Sequence, residues 1–181
     1  MSESHYPSRA ELEARLQNVA AAPRESGVVE MIVRRPATGE REVLPAARLD
    51  AEEGLVGDRW LAKPHRSRAE QLTLMCTRAI AAFAGERERW PLAGDQLYVD
   101  FDLSEANLPP GTRIAVGTSE IEISAEPHLP CKKFRERYGL DAMRVAASDA
   151  GRSLRLRGVN ATVVVSGEVW VGDVVRKLDG K

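Results

Sequence analysis

The chain has 181 residues, 43% of them hydrophobic and 29% charged, with a formal net charge of −1. That length suits one domain with a sizeable core, and the near-zero charge excludes a global basic field that would draw it to nucleic acid. No apolar run approaches the ~20 residues needed to span a bilayer, so neither nucleic acid nor membrane is expected as a partner.

Met1 to Ala22 has no basic start followed by an apolar stretch, so it does not read as a secretory signal. Ser8 with Glu11 fits a capping box, in which each side chain satisfies a free backbone N–H. Leu12, Leu16 and Val19 follow at helical spacing, and Pro23 closes the segment. Residues 1–26 are expected to form a helical extension on a main domain of residues 27–181.

From Gly27 onward the signal is mostly strand. Val28–Val33 and Arg41–Leu44 flank a turn at Pro36-Ala37-Thr38-Gly39. Gln71–Cys76 reads as a short apolar strand, Ala79–Ala84 as helix and Gln96–Phe101 as strand. Thr112–Val116 and Glu120–Ser124 read as a hairpin through Gly117-Thr118-Ser119. Lys132–Tyr138 and Asp141–Ala150 read as helices. Val159–Val165 and Glu168–Val171 read as a second hairpin, and Val174–Leu178 as the last strand. Many short strands broken by Gly and Pro turns predict a mostly β, α+β fold: a barrel-like body with a few short helices.

The two cysteines, Cys76 and Cys131, form no disulfide framework and no paired zinc spacing. A reducing, cytoplasmic setting is the simplest inference. Cys76 ends an apolar strand and reads as a buried hydrophobe. Cys131 starts a helix and is followed by Lys132 and Lys133. A helix N-terminus and nearby cations favour thiolate, which is the nucleophile and the metal ligand. An unremarkable half-buried thiol is the competing reading.

His128, three residues before Cys131, could share a soft metal with it, donate a proton beside it, or brace the loop. His5 and His65 carry no constellation. Gly54-Leu55-Val56-Gly57-Asp58-Arg59-Trp60 leads into Lys63, His65, Arg66 and Arg68, a possible anion-binding loop or simply a solvated one. It lacks the Gly-Lys-Ser/Thr ending of a P-loop. Arg152, Arg155 and Arg157 cluster ahead of Asn160; strand alternation would put Arg155 and Arg157 on one face.

Several stretches, taken in order, resemble the MOSC domain, named after the C-terminal domain of molybdenum cofactor sulfurase. They are Gly57-Asp58-Arg59, Gln71-Leu72-Thr73-Leu74-Met75, Gly94-Asp95-Gln96-Leu97, Leu108–Gly117, Pro130-Cys131, Leu156–Ala161 and Val169–Val175. The resemblance implies a barrel-like fold and a cysteine, Cys131, that carries sulfur or binds the molybdenum of a pterin cofactor. It places Arg59 and Arg157 in a basic cofactor pocket, which Arg68 and Asn160 could complete; Lys132 joins the candidates only by its proximity to Cys131. The chain carries neither the long N-terminal β-barrel domain of the amidoxime-reducing enzymes nor the pyridoxal-phosphate-binding desulfurase domain of the sulfurases. A stand-alone module is therefore expected.

The leading reading is a molybdopterin-binding protein that reduces N-hydroxylated compounds, with Cys131 as metal ligand. Electrons would come from a partner protein, because the chain has no flavin, nicotinamide or iron–sulfur signature. The alternative is a carrier that holds the cofactor, or a persulfide from a sulfur-donor protein, on Cys131. A third is an interaction domain that has kept the fold and lost the site.

Overall fold

The computed structural model describes residues 6–179. His5 and the outermost residues of both expected segments lie outside the described residues. The capping box forms as expected: the Ser8 hydroxyl accepts from Glu11 N–H, and the Glu11 carboxylate accepts from Ser8 N–H. Helix α1 (Arg9–Arg15) then tightens into a 3-10 stretch, Leu16–Ala21, burying Leu12, Leu16 and Val19. Tyr6 donates to the Glu136 carbonyl and Arg9 N–H to Asp141, which fastens this segment to the main body.

The strands are β1 (Ser26–Arg34), β2 (Glu42–Leu44), β3 (Ala46–Asp50), β4 (Gly54–Leu55), β5 (Leu72–Cys76), β6 (Leu97–Asp100), β7 (Arg113–Val116), β8 (Ser119–Ile123), β9 (Val159–Val165), β10 (Gly167–Trp170) and β11 (Val174–Lys177). Seven of them close a barrel in the order β1-β11-β7-β8-β9-β5-β6 and back to β1, with β2 hydrogen-bonded outside β1. Closure leaves few strand edges unpaired. Every barrel pairing is antiparallel except β5 with β6. That pair is parallel because its connection is a crossover carrying helix α2 (Thr77–Ala84). β5 is buried along its whole length, with α2 packed against it.

The second expected hairpin does not form. β10 leaves the barrel and pairs with β3, placing Gly167 opposite Leu49 and Trp170 opposite Ala46; β4 completes this small sheet. A Cβ at Gly167 would lie 2.6 Å from the Thr118 and Ser119 backbone, so the strand passes directly over the β7–β8 turn. There Thr118 N–H donates to the Glu168 carbonyl. Helix α3 (Lys132–Tyr138) forms as expected, but the helix expected over Asp141–Ala150 divides into α4 (Leu140–Ala147) and α5 (Asp149–Ser153). Ser148 divides them, its hydroxyl accepting from Gly151 N–H as a new N-cap.

The alternating arginine strand is also absent. Arg155 sits in a turn at φ 49°, and Leu156 and Arg157 are both buried, so Arg155 and Arg157 share no strand face. The chain then passes so close to β5 that a Cβ at Gly158 would collide with the Leu74 carbonyl oxygen. On the helical side, Phe83 of α2 meets Phe134 of α3 edge to face at 5.4 Å, and Tyr138 meets Phe134 at 5.0 Å. No described helix is long and apolar enough to cross a membrane.

Candidate functional site

The 3-10 segment Arg87–Ala93 is followed by Gly94, and four successive carbonyls there face four arginines. Arg41 Nε donates to Pro91 O (3.2 Å), Arg137 Nη1 to Leu92 O, Arg157 Nη2 to Ala93 O (3.0 Å) and Arg35 Nη1 to Gly94 O (2.8 Å). Carbonyls at a helical C-terminus lack intrahelical donors and carry partial negative charge, so guanidinium groups suit them. The arginines come from the end of β1, the approach to β2, α3 and the turn before β9.

Carbonyl oxygens satisfy N–H groups without cancelling their charge. Two buried carboxylates do cancel part of it. Asp58 binds Arg35 through both oxygens at 2.9 Å, and Asp95, wholly buried, binds Arg157 Nη1 at 2.7 Å. Arg41, Arg59, Lys63 and Arg137 have no ion-pair partner among the described residues. Burial, then the charges of Arg137, Arg35 and Arg59, lowers the pKa of Arg41. Burial, then Arg35 and Arg59, lowers that of Lys63. Arg59 Nη1 donates to Thr38 Oγ1 at 3.3 Å, while its Nε is buried without a partner. The result is a cluster of mutually repelling cations that an anion would relieve.

His128 lies at the edge of this cluster, with Nδ1 3.5 Å from Asp95 Oδ1. Burial, followed by the charge of Arg157, pushes its pKa down to about 3 despite the carboxylate. The ring is therefore neutral at neutral pH. His128 Nδ1 and Asp95 Oδ1 are both buried without a hydrogen-bond partner among the described residues.

Helix α3 links the thiol to the cluster. Cys131 is its exposed N-cap residue. Phe134, one turn on, lies beneath the Arg157 guanidinium at 5.3 Å. Arg137, about 9 Å further along the axis than Cys131 at 1.5 Å per residue, reaches the Leu92 carbonyl.

The family model of the MOSC domain matches residues 63–176. The chain belongs to the MOSC domain family. Its fold is similar to that of the YuaD protein from Bacillus subtilis, with a TM-score of 0.64 and 16% identity over 88% of this chain and 100% of that one. It is also similar to YiiM from Escherichia coli, with a TM-score of 0.57 and 18% identity over 85% and 71% of the two chains. YiiM from Geobacillus stearothermophilus gives 0.53 and 12% over 84% and 73%. No curated protein is significantly similar to the chain.

Of the candidate site residues, the fold brings Arg59, Arg157 and His128 to the cationic cluster. Asn160 is buried nearby and donates from Nδ2 to the Glu126 carbonyl. Arg68 turns elsewhere: it donates to the Ala51 carbonyl and contacts Glu52 in the β3–β4 turn. Lys132 is almost fully exposed and faces Glu136 at 3.8 Å on its own helix. Sequence reasoning missed Arg35, Arg41, Arg137 and the buried Asp95. Only Asp95 had a signal, as part of Gly94-Asp95-Gln96-Leu97.

Proposed function

We propose that this MOSC protein binds a molybdenum pterin cofactor and uses it to reduce N-hydroxylated compounds with electrons from a partner protein. The observation that carries this reading is the surplus of Arg41, Arg59, Lys63 and Arg137, clustered cations with no carboxylate partner among the described residues. These side chains fit a phosphate-bearing anion: Arg offers a planar fork to phosphate oxygens, and the orphaned Arg59 Nε is a donor in want of an acceptor. Among the described residues no group of three His, Cys, Asp or Glu could hold a metal ion alone. A metal here would depend on ligands borne by the cofactor, with Cys131 adding a soft thiolate. When bound, the cofactor would supply a metal centre able to pass two electrons to an N–O bond.

The protein's own contribution is binding, orientation and proton handling. The arginine collar fixes Gly94 and thereby Asp95, whose carboxylate lies 3.5 Å from His128 Nδ1. His128 would accept or relay a proton beside the bound group. As a standing acid it is too depressed at neutral pH, chiefly by burial; an anion in the cluster would offset only the further lowering by the Arg157, Arg35 and Lys63 charges. Its pKa would then rise by the part that those charges contribute.

The exposure of Cys131 favours a second reading. A thiol open to solvent can take a sulfur atom as a persulfide, or hand on a cofactor, in contact with another protein. The deciding assay gives cofactor-loaded protein a strong artificial reductant and a hydroxylamine or hydroxylated base. Amine formation that Cys131→Ala abolishes supports the reductase. No product from loaded protein supports the carrier.

A further inference from the structure

A cavity of about 550 Å³ lies against His128, Arg157 and Asn160. Its volume falls within the roughly 300–1,000 Å³ of small-molecule sites. Cys131, Arg41, Arg59, Lys63 and Arg137 do not line it, so it is separate from the cationic cluster and shares only Arg157 and His128 with it.

Two of its walls differ in what they offer. One is α5 and the turn after it, carrying Arg152 and Arg155. Arg155 Nη1 donates to the Leu103 and Leu108 carbonyls, which hold the side chain in place without neutralising it. Burial lowers its pKa, the mark of a cation short of solvent, and the charge of Glu105 only partly compensates. Arg155 is the one non-glycine among the described residues at positive φ, and that turn is what brings it into the same cavity as Arg157. Arg152 is exposed and uses only Nε, on the Ala147 carbonyl.

The loop before α3, together with β9, forms an acceptor wall. Glu126 presents an exposed carboxylate with no partner among the described residues. Asn160 is nine-tenths buried, and with Nδ2 committed to the Glu126 carbonyl its Oδ1 receives no bond from any of the described residues. His128 is neutral and adds no positive charge there. Pro109, Pro110, Pro127, Leu129 and Val159 supply apolar surface.

The charges nearly balance. Arg157 is matched by Asp95 behind it, and Arg152 and Arg155 are set against Glu105 and Glu126. A bare anion or a bare cation would meet repulsion as well as attraction. A ligand carrying both signs would not.

We propose that this cavity binds a small zwitterion of the amino-acid class with an apolar side chain. The carboxylate takes the free guanidinium N–H groups of Arg152 and Arg155. The ammonium faces Glu126 and Asn160 Oδ1, and the side chain lies among the prolines. Nothing in this depends on a bound pterin.

The test is calorimetric titration of the full chain at neutral pH with L-phenylalanine, 3-phenylpropionate and phenethylamine. L-Phenylalanine should bind saturably, and each half-molecule about tenfold or more weaker, since each lacks one of the two charged groups. Arg152→Gln and Glu126→Gln alter exposed side chains and should keep the wild-type Tm. Each should weaken L-phenylalanine by about fivefold or more, while Arg41→Gln should not. No binding of L-phenylalanine overturns the proposal. Equal binding of 3-phenylpropionate reduces the cavity to an anion site, and equal binding of phenethylamine to a cation site; either result overturns it. So does unchanged affinity in both cavity variants.

Discussion

Arg157 donates from Nη1 to Asp95 at 2.7 Å with both side chains buried, and its guanidinium also lies over the Phe134 ring. One ion pair thus joins the Gly94 turn, the approach to β9 and α3. Removing one member of a buried pair leaves an uncompensated charge and costs about 3–5 kcal/mol. Asp95→Asn should lower unfolding free energy by that order in urea titration. A loss under about 1 kcal/mol, the range of an exposed pair, would show the pair to be unimportant to the fold.

His128 gives a pH signature. Its folded pKa, about 3, is below the ordinary 6.5. Below pH 6.5 the unfolded chain takes up a proton that the folded chain refuses, so this residue's contribution to stability falls as pH drops from 6.5 towards 3. At pH 5 the difference is about 2 kcal/mol. Wild-type protein should lose more stability than His128→Gln between pH 7 and pH 5. Parallel pH profiles would contradict the depressed pKa.

The two thiols should react in a fixed order. Cys131 is exposed, whereas Cys76 is buried and burial raises its pKa. Iodoacetamide on native protein should label Cys131 first, and Cys76 only on unfolding. Mass spectrometry showing Cys76 labelled first would reverse the assignment.

The barrel was legible because its strands alternate. Ile121 and Ile123 point inward between Glu120 and Glu122, and glycine or proline marks the turns. β3 escaped notice because Ala46-Ala47-Arg48-Leu49-Asp50 buries only Leu49 fully. Arg155 and Arg157 misled because a residue at positive φ broke the alternation that would have paired them. Cys131 stood out from its neighbours, and Arg59 from its turn. The arginine collar could not be read: its acceptors are backbone carbonyls, and Arg35, Arg41, Arg137 and Arg157 are scattered along the chain.

The unpaired cations should govern retention of an anionic ligand. A charge-assisted hydrogen bond is worth about 1.5–3 kcal/mol. Arg41→Gln and Arg59→Gln should each weaken pterin retention by about tenfold or more, with little change in Tm because neither breaks an ion pair. Arg59→Lys should fall between, keeping charge but losing the fork. Retention unchanged in all three would remove the cluster from the site.

The most direct test is the molybdenum and pterin content of protein purified from a host that makes the cofactor. The prediction is near-stoichiometric molybdenum and pterin in the wild type, with both reduced in Cys131→Ser and both lost from an Arg41→Gln/Arg59→Gln double variant. Wild-type protein that is folded yet carries neither molybdenum nor pterin would contradict the account.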